Sequence, residues 1–333
     1  MRKSVIIVLI TICVIVIVGV VHRQVFRSDA REEEIVFRVY NVESNSTDMY
    51  IIDKNGNSIR WLGGYSGSPS WSNSGDYIAV GCKDKLCVID VSTLPDKRNN
   101  LNNQPIAPQE LFRLDIPQQC YQFENYNPRA NTDGILSTSW SPDDKKIAIV
   151  CGNEQESERA VCIIPLEGKQ ECWGDKLSEN VIDVSWSPNE EEILLVSKAE
   201  GDITSPQKIY LTDSNGVILE YLVDGFSPEW SSEGQKFVYT QKVQYSMNLA
   251  IFDLSKRQSQ NLQIADKSLF TICQYRYGCR FSWSPDERYV IFSYKYAMES
   301  YENALFRIDL FSGKVIRLID PHVFLFPAEP NWK

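Results

Sequence analysis

The most regular feature of the chain is a Trp-Ser pair that is followed by a polar turn and then by a short apolar run. The turn is Ser-Pro-Asp-x or a variant of it, in which Pro presets the backbone angle φ and Asp or Gly relaxes the exit. In all five complete copies a β-branched or aromatic residue lies seven positions after the tryptophan. The tryptophans of these copies are Trp71, Trp140, Trp186, Trp230 and Trp283. A register kept through five copies predicts a repeat architecture.

Each copy has the apolar runs expected of four short antiparallel strands. The Trp-Ser pair ends the first strand, and the apolar run after the turn is the second. A third run ends mostly in Asp, as in 87–90 and 306–309, and turn residues lead from it into a fourth run. Successive tryptophans are separated by 69, 46, 44, 53 and 49 residues. Four strands at this spacing are typical of the blades of a β-propeller.

The two ends of the chain each supply part of a sixth copy. The runs 35–40, 49–53 and 59–62 match the second, third and fourth strands of a blade, but no Trp-Ser strand precedes them. Pro330-Asn331-Trp332 forms the start of a repeat with nothing after it. We therefore predict six blades, with residues near 329–332 forming the inner strand of the blade completed by 35–62. The alternative is an open β array or sandwich, which leaves sheet edges that a closed ring removes.

This pattern resembles the TolB-like family of WD40-like (PD40-type) β-propeller repeats, whose blades carry the signature P-x-W-S-P-D-G-x-x-I-A-F. The resemblance covers residues 34–333 and implies an all-β, six-bladed propeller. The chain departs from the signature where Asp144 and Glu287 replace its Gly and where Asn73 and Ser232 replace its Pro. Because the shared motif is structural, the resemblance implies no catalytic residue.

The N-terminal residues predict a membrane anchor. Arg2 and Lys3 precede an uncharged run of 18 residues, 4–21, which as a helix would be about 27 Å long, near the short end for a membrane span. A cleaved signal peptide is the alternative, but the run is longer than a usual apolar signal region and no small-x-small site precedes His22. We predict an anchor at 1–22, a charged stalk at 23–34 and the propeller at 35–333.

The charge of the chain excludes some partners. After residue 31 the chain carries 29 Lys and Arg against 43 Asp and Glu, a net charge of −14. Nucleic acid and anionic lipid head groups both require a basic surface. We therefore expect no nucleic-acid partner, and contact with the membrane only through the N-terminal helix.

The cysteines of the predicted propeller are even in number, and two pairs occupy matching positions. They are Cys82, Cys87, Cys120, Cys151, Cys162, Cys172, Cys273 and Cys279. Cys82 and Cys151 both lie eleven residues after a repeat tryptophan, and their possible partners Cys87 and Cys162 share the same slot in the next strand. We expect bridges Cys82–Cys87 and Cys151–Cys162, and favour Cys273–Cys279 and Cys120–Cys172 among the three pairings of the rest. Free thiols or a metal site are the alternatives, but the chain has no Cys-x-x-Cys and one His after residue 22. Bridges indicate an oxidising compartment, the periplasm or the cell exterior.

The longest connections predict where a binding site lies. Strands of a blade alternate in direction, so the turns between strands 1 and 2 and between strands 3 and 4 share one face. The connections between strands 2 and 3 and between blades share the other, and most of the long segments fall there. Loops on a rigid scaffold carry function more often than the scaffold does. The candidate binding residues on this face are Arg129, Tyr275, Arg276, Tyr277, Tyr294 and Tyr296, since Tyr and Arg dominate binding hot spots; the alternative is that some of them only pack the loops.

The sequence contains no arrangement typical of catalysis. Ser66 does not lie in a nucleophile elbow, because the second Gly of that motif is one place early. The stretch that begins at Asp53 resembles an EF-hand loop only at its start. We expect no metal and no cofactor, and predict a non-catalytic module that binds a protein or glycan. The alternative is a carbohydrate-active lyase or hydrolase that works in the central funnel; a carboxylate, Arg and Tyr cluster converging in the channel at the loop face would favour it.

Overall fold

The structure of the chain is a computed structural model. It describes residues 33–41, 46–65, 67–82, 85–94, 110–117, 120, 135–152, 159–173, 180–198, 207–243, 246–262, 280–295, 303–319 and 327–332. All elements described below belong to the unit Glu34–Lys333. These residues form six four-stranded antiparallel sheets, which confirms the predicted all-β, six-bladed propeller.

Twenty-four strands make up the six sheets. In chain order they are β1 (Glu34–Asn41), β2 (Ser46–Asp53), β3 (Arg60–Gly64), β4 (Ser70–Trp71), β5 (Tyr77–Cys82), β6 (Lys85–Asp90), β7 (Glu110–Asp115), β8 (Ile135–Trp140), β9 (Lys146–Gly152), β10 (Arg159–Pro165), β11 (Glu171–Cys172), β12 (Asn180–Trp186), β13 (Glu192–Lys198), β14 (Lys208–Asp213), β15 (Ile218–Asp224), β16 (Phe226–Trp230), β17 (Lys236–Val243), β18 (Ser246–Asp253), β19 (Gln258–Asn261), β20 (Phe281–Trp283), β21 (Tyr289–Lys295), β22 (Asn303–Asp309), β23 (Val315–Arg317) and β24 (Pro327–Trp332). A short 3₁₀ turn, Val91–Thr93, follows β6, and the Asp90 side chain accepts a hydrogen bond from the Ser92 N–H at its start.

The ring closes through the two ends of the chain, as predicted. One sheet has the strand order β24-β1-β2-β3, in which Ile35 pairs with Trp332 and Val39 with Pro327. The other five sheets are built from four consecutive strands each. We name each blade by the tryptophan that ends its first strand, so the closing sheet is the Trp332 blade.

The repeated tryptophans join each blade to its neighbour. The indole Nε1 of Trp140 donates to the Ser70 carbonyl at 3.1 Å, and that of Trp230 donates to the Ser185 carbonyl at 2.9 Å. At the closure the Trp332 N–H donates to Ser282 Oγ at 2.8 Å. Three repeats thus link to the preceding blade through the indole N–H, those of Trp140, Trp230 and Trp283. The other three link through the backbone N–H of the tryptophan, at Trp71, Trp186 and Trp332.

The hydrophobic core is divided among the spaces between neighbouring blades. One buried cluster, for example, combines Leu86 and Val88 of the Trp71 blade with Ile147 and Ile149 of the Trp140 blade. The central strands of each blade therefore read as continuous apolar runs, since both of their faces are covered.

Two of the departures from the family signature link adjacent turns. Asp144 and Glu287 occupy the Gly position with φ of 56° and 54°, in the left-handed region that Gly adopts at little cost. Asp144 accepts hydrogen bonds from the Asn73 and Ser74 N–H groups, and Glu287 accepts one from the Glu233 N–H. The side chain that strains the turn thus also ties it to the preceding blade.

Strand direction defines two faces of the ring. We call the face that carries the turns between strands 1 and 2 and between strands 3 and 4 the turn face, and the opposite one the loop face. Among the described residues, no helix has the length and apolar character needed to cross a membrane. The predicted span, 4–21, and the stalk up to residue 32 lie outside the described residues.

Candidate functional site: a charged cluster at the central channel

The first strands of the six blades surround the axis of the ring. Each contacts the first strand of the next blade, and the sequence β4, β8, β12, β16, β20, β24 returns to β4. Residues one and three positions before each tryptophan share one side of the strand, because side chains alternate with a period of two. Most of these positions carry a small hydroxyl residue, as at Ser70, Ser137 and Ser282. A charged residue at one of these positions is therefore a candidate for a functional site.

Charged residues take the place of serine at four of these positions. One is Glu329, three before Trp332, whose side chain lies outside the described part of the structure, and the other three are described. Asp183 and Arg280 lie three positions before Trp186 and Trp283, and Glu229 lies one position before Trp230. Together with Ser137 and Ser185 they form what we call the channel cluster. The positions three before the tryptophan lie toward the loop face, since each first strand runs from the loop face to the turn face.

Asp183 is the centre of the channel cluster. Its Oδ1 accepts hydrogen bonds from Ser137 Oγ at 2.7 Å, from the Val184 N–H at 3.0 Å and from Arg280 Nη1 at 2.5 Å. Its side chain is 5% exposed, whereas that of Arg280 is 26% exposed. A buried carboxylate needs such partners, because an unpaired buried charge is strongly destabilising.

The Asp183–Arg280 ion pair joins two blades that are not neighbours. The Trp230 blade lies between them, and the small Ser227 occupies the corresponding position there. The register of β16 shifts between Phe226 and Glu229, and Ser227 has a φ of 46°. Similar shifts precede Ser137 in β8 and Asp183 in β12. Such β-bulges re-aim side chains and are frequent beside functional sites.

Glu229 lies next to this pair with a perturbed acidity. It keeps some solvent access, yet protein atoms surround its carboxyl group. Burial first, and the negative charge of Asp183 second, raise the pKa of Glu229 to about 8, although Arg280 and a hydrogen bond from Ser185 Oγ act in the opposite direction. The Ser185 Oγ to Glu229 Oε2 distance is 3.3 Å. At pH 7 this carboxyl group is therefore largely protonated and can donate a hydrogen bond.

Most of the predicted binding residues lie outside the described part of the chain. This applies to Arg129, to Tyr275-Arg276-Tyr277 and to Tyr296. Tyr294 lies in β21, opposite Ala304 of β22. The described chain resumes at Arg280, three residues after Tyr277, so the predicted loop leads directly into the channel cluster. The sequence does contain a signal for the cluster, namely charged residues at positions that hold serine in other blades.

Three disulfides are present among the described cysteines, and they confirm only one predicted pairing. Cys82–Cys87 forms as expected, with Cα atoms 5.8 Å apart. The predicted Cys151–Cys162 and Cys120–Cys172 pairings are wrong, since the bridges are Cys120–Cys151 and Cys162–Cys172. Cys162 lies directly opposite Cys172 of β11 and is bridged to it, and Cys151, the diagonal neighbour of Cys162, is bridged to Cys120 instead. Cys273 and Cys279 lie outside the described residues.

The bridges bear on the compartment and on metal binding. Disulfides persist in oxidising environments, which indicates an extracytoplasmic location. Among the described residues, the sulfur atoms of Cys120, Cys151 and Cys162 are close enough to share a metal ion, but all three are engaged in bridges.

Comparison with known proteins identifies the fold of the chain but assigns no activity to it. No protein-family model matches the chain, and no curated protein matches its sequence. Many solved structures match in fold. TolB from Acinetobacter baumannii is 15% identical with a TM-score of 0.64, and the match covers 90% of this chain and 66% of that one.

Two further solved structures have the same fold. A putative TolB from Agrobacterium tumefaciens is 16% identical with a TM-score of 0.53, over 89% of this chain and 90% of that one. A chain in a nidogen/laminin complex is 8% identical with a TM-score of 0.57, over 90% of this chain and 98% of that one. Together with the repeat signature and the closure of the ring, these matches identify the chain as a six-bladed β-propeller with the fold of TolB.

Proposed function

We propose that the chain is a membrane-anchored, extracytoplasmic propeller that binds a protein or glycan partner, without catalysis, on its loop face around the mouth of the channel. The observation that carries this proposal is the position of Arg280. It belongs to the channel cluster and follows directly on the loop that contains Tyr275-Arg276-Tyr277. A partner held by that loop would therefore lie over a partly exposed guanidinium group.

The contacts of Arg280 favour recognition. Asp183 fixes one nitrogen of the guanidinium group, so less side-chain entropy is lost when a partner binds its exposed part. Arg is among the residues that most often dominate binding energy, because its planar group offers several donors. A rigid ring of six blades supplies the scaffold, and the loop face supplies the variable surface.

The predicted anchor and stalk complete the proposal. Residues 4–21 would hold the propeller at the membrane, and 23–34 would separate the two, in keeping with an extracytoplasmic location of the disulfides. The net charge of −14 after residue 31 favours a partner with basic patches. The match to a chain from a nidogen/laminin complex supports a protein partner only in that the same fold is found there within a complex.

The experiment compares the two faces of the ring. The full chain and a Tyr275→Ala/Arg276→Ala/Tyr277→Ala variant are used to capture partners from the envelope of the host. The matched control is Phe311→Ser, because Phe311 lies in a turn-face turn and is 87% exposed. We expect the triple variant to lose a captured partner that the wild type and Phe311→Ser retain, with unchanged melting temperatures. Equal capture by all three, or loss only with Phe311→Ser, contradicts the proposal.

A second candidate function rests on Glu229. A carboxyl group that stays protonated near neutral pH, beside a second carboxylate that is held by an Arg, is a pairing used for general acid catalysis. This favours the alternative of a carbohydrate-active enzyme working in the channel. Turnover of a panel of glycans by the purified chain, abolished in Glu229→Gln and retained in Glu233→Gln on the turn face, would replace the binding proposal. Binding without turnover in the same assay excludes this alternative for those glycans.

A further inference from the structure

Two of the disulfides lie side by side in the Trp140 blade. The cysteine cluster consists of Cys120, Cys151, Cys162 and Cys172. Cys120–Cys151 joins the connection before β8 to β9, and Cys162–Cys172 joins β10 to β11. The sulfur atoms of Cys120, Cys151 and Cys162 all lie within 4.8 Å of one another, and these three residues are buried. Each bridge therefore has a sulfur of the other within reach of a small side-chain movement.

The Trp71 blade shows that a Cys151–Cys162 bridge is geometrically possible in the Trp140 blade, because it contains a bridge between cysteines at the same two positions. Cys82 lies opposite Lys85, and Cys87 lies two residues beyond Lys85 on the same strand. In the Trp140 blade Cys151 lies opposite Ala160, and Cys162 lies two residues beyond Ala160. The first of these diagonal pairs is bridged, with Cα atoms 5.8 Å apart. The same hairpin register thus accommodates a Cys151–Cys162 bridge, and the present pairing differs because Cys120 and Cys172 compete for the two sulfurs.

Access to the cysteine cluster is uneven. Cys120, Cys151 and Cys162 are fully buried, whereas Cys172 is partly exposed. Cys172 lies in β11, a two-residue strand that pairs only with β10. Because thiol–disulfide exchange requires that the attacking thiolate reach a sulfur atom, an external thiol meets Cys172 first.

We propose that the cysteine cluster is a disulfide-exchange switch, in which Cys120–Cys151 and Cys162–Cys172 rearrange to Cys151–Cys162 and Cys120–Cys172. An external small thiol acts as catalyst. Its thiolate attacks Cys172 Sγ, breaks the Cys162–Cys172 bond, forms a mixed disulfide with Cys172 and releases the Cys162 thiolate. That thiolate attacks Cys151 Sγ and releases the Cys120 thiolate. The Cys120 thiolate attacks the mixed disulfide at Cys172 and releases the external thiol, so the number of bridges and the oxidation state are unchanged.

The exchange would change what the loop face presents. In the present pairing Cys120 attaches the connection between β7 and β8 to β9, the second strand of its blade. After exchange the same connection is attached to β11, the outer edge strand of the blade. The switch is independent of which partner the propeller binds, and its test needs none.

Single cysteine variants of the full chain test the exchange directly. In Cys172→Ser the unpaired Cys162 thiol is expected to attack Cys151, giving Cys151–Cys162 and a free Cys120. In Cys120→Ser the unpaired Cys151 thiol is expected to attack Cys162, giving the same bridge and a free Cys172. The matched control is Cys82→Ser, in which both bridges of the cysteine cluster stay as they are and Cys87 is free.

The sequence makes these products easy to distinguish. Trypsin cuts after Arg113, Arg129, Lys146, Arg159, Lys169 and Lys176, which places the four cysteines in four different peptides. Alkylation in acid followed by non-reducing peptide mapping should show loss of the Cys120–Cys151 peptide pair and gain of the Cys151–Cys162 pair in both variants. Wild type held in a glutathione redox buffer should gain the same pair.

Retention of the original bridges in the single variants would contradict the exchange. A Cys172→Ser variant that keeps Cys120–Cys151 beside a free Cys162 overturns the proposal. Should that variant not fold, retention of Cys162–Cys172 beside a free Cys151 in Cys120→Ser overturns it in the same way.

Discussion

The first strands of the six blades, which surround the channel, differ between their two ends in how strictly the sequence is repeated. At the turn-face end every blade repeats the tryptophan, which Ser follows in five of the six, and the tryptophans bond to the neighbouring blade. At the loop-face end the position three before the tryptophan varies from Ser137 to Asp183 to Arg280. The repeated end fixes the ring, and the varied end can take up side chains for a site. In a repeat protein, function is therefore to be sought where one copy departs from the others.

The largest loss of stability is expected from removing the tryptophan strand that closes the ring. Deleting residues 327–333 removes β24 and with it the Trp332 N–H bond to Ser282 and the stacking of Trp332 on Tyr289. Loss of a buried Trp alone costs about 3–5 kcal/mol, and the deletion also opens two strand edges. We expect the melting temperature to fall by about 10 °C or more. Removal of Lys333 alone is the control, and an unchanged melting curve after the full deletion would refute the closure.

The next prediction concerns the stability effect of changing Arg280, at the loop-face end of a first strand. Arg280→Met keeps the length of the side chain but leaves Asp183 buried with a weakened set of partners. We expect a loss of roughly 2 kcal/mol in the free energy of unfolding, below the 3–5 of a fully buried pair because Arg280 is partly exposed. Asp183→Asn combined with Arg280→Met should cost less than the sum of the single changes, since no unpaired charge remains. Lys145→Met, which breaks an exposed pair with Asp143 at 3.8 Å, should change stability by less than about 0.5 kcal/mol.

A further effect, which depends on pH, is expected from Glu229. Its pKa is raised in the folded state, so between about pH 4.5 and pH 8 the unfolded chain loses this proton while the folded protein keeps it. Stability from this group is therefore fully present in acid and is lost as pH rises through the folded pKa. Glu229→Gln should be about as stable as wild type at pH 4.5 and should gain on it toward pH 8. Urea unfolding at several pH values measures this gain, with Glu233→Gln as the control; a constant difference across the range would contradict it.

The smallest effect is expected at the turns that link the blades. Asp144→Ala loses the bonds to the Asn73 and Ser74 N–H groups and keeps a positive φ, whereas Asp144→Gly loses the same bonds but relieves the backbone. We expect Asp144→Gly to lie within about 1 kcal/mol of wild type and to be more stable than Asp144→Ala. Thermal melts of the two variants decide the order, and the reverse order would show that the strain is not significant.

Much of the scaffold could be predicted because its signals are local. The turn after each Trp-Ser and the apolar runs that follow lie within about ten residues of one another, and hydrophobic periodicity reports such elements directly. The Cys82–Cys87 bridge could be predicted for the same reason, since one short hairpin holds both cysteines. The pairing of Cys162 could not, because it depends on the register of β11, a strand of only two residues.

The sequence by itself determined the repeat, the number of blades and the way in which Trp332 closes the ring on β1. Only the tertiary structure decided which side chains meet inside that ring. Arg280 and Asp183 are 97 residues apart and belong to two blades that are separated by a third, the Trp230 blade. Their contact depends on the curvature of the whole ring, on the bulges that re-aim β12 and β16 and on the small Ser227 between them. A local pattern contains no information about such a distance, because it arises only when six blades have closed on one another.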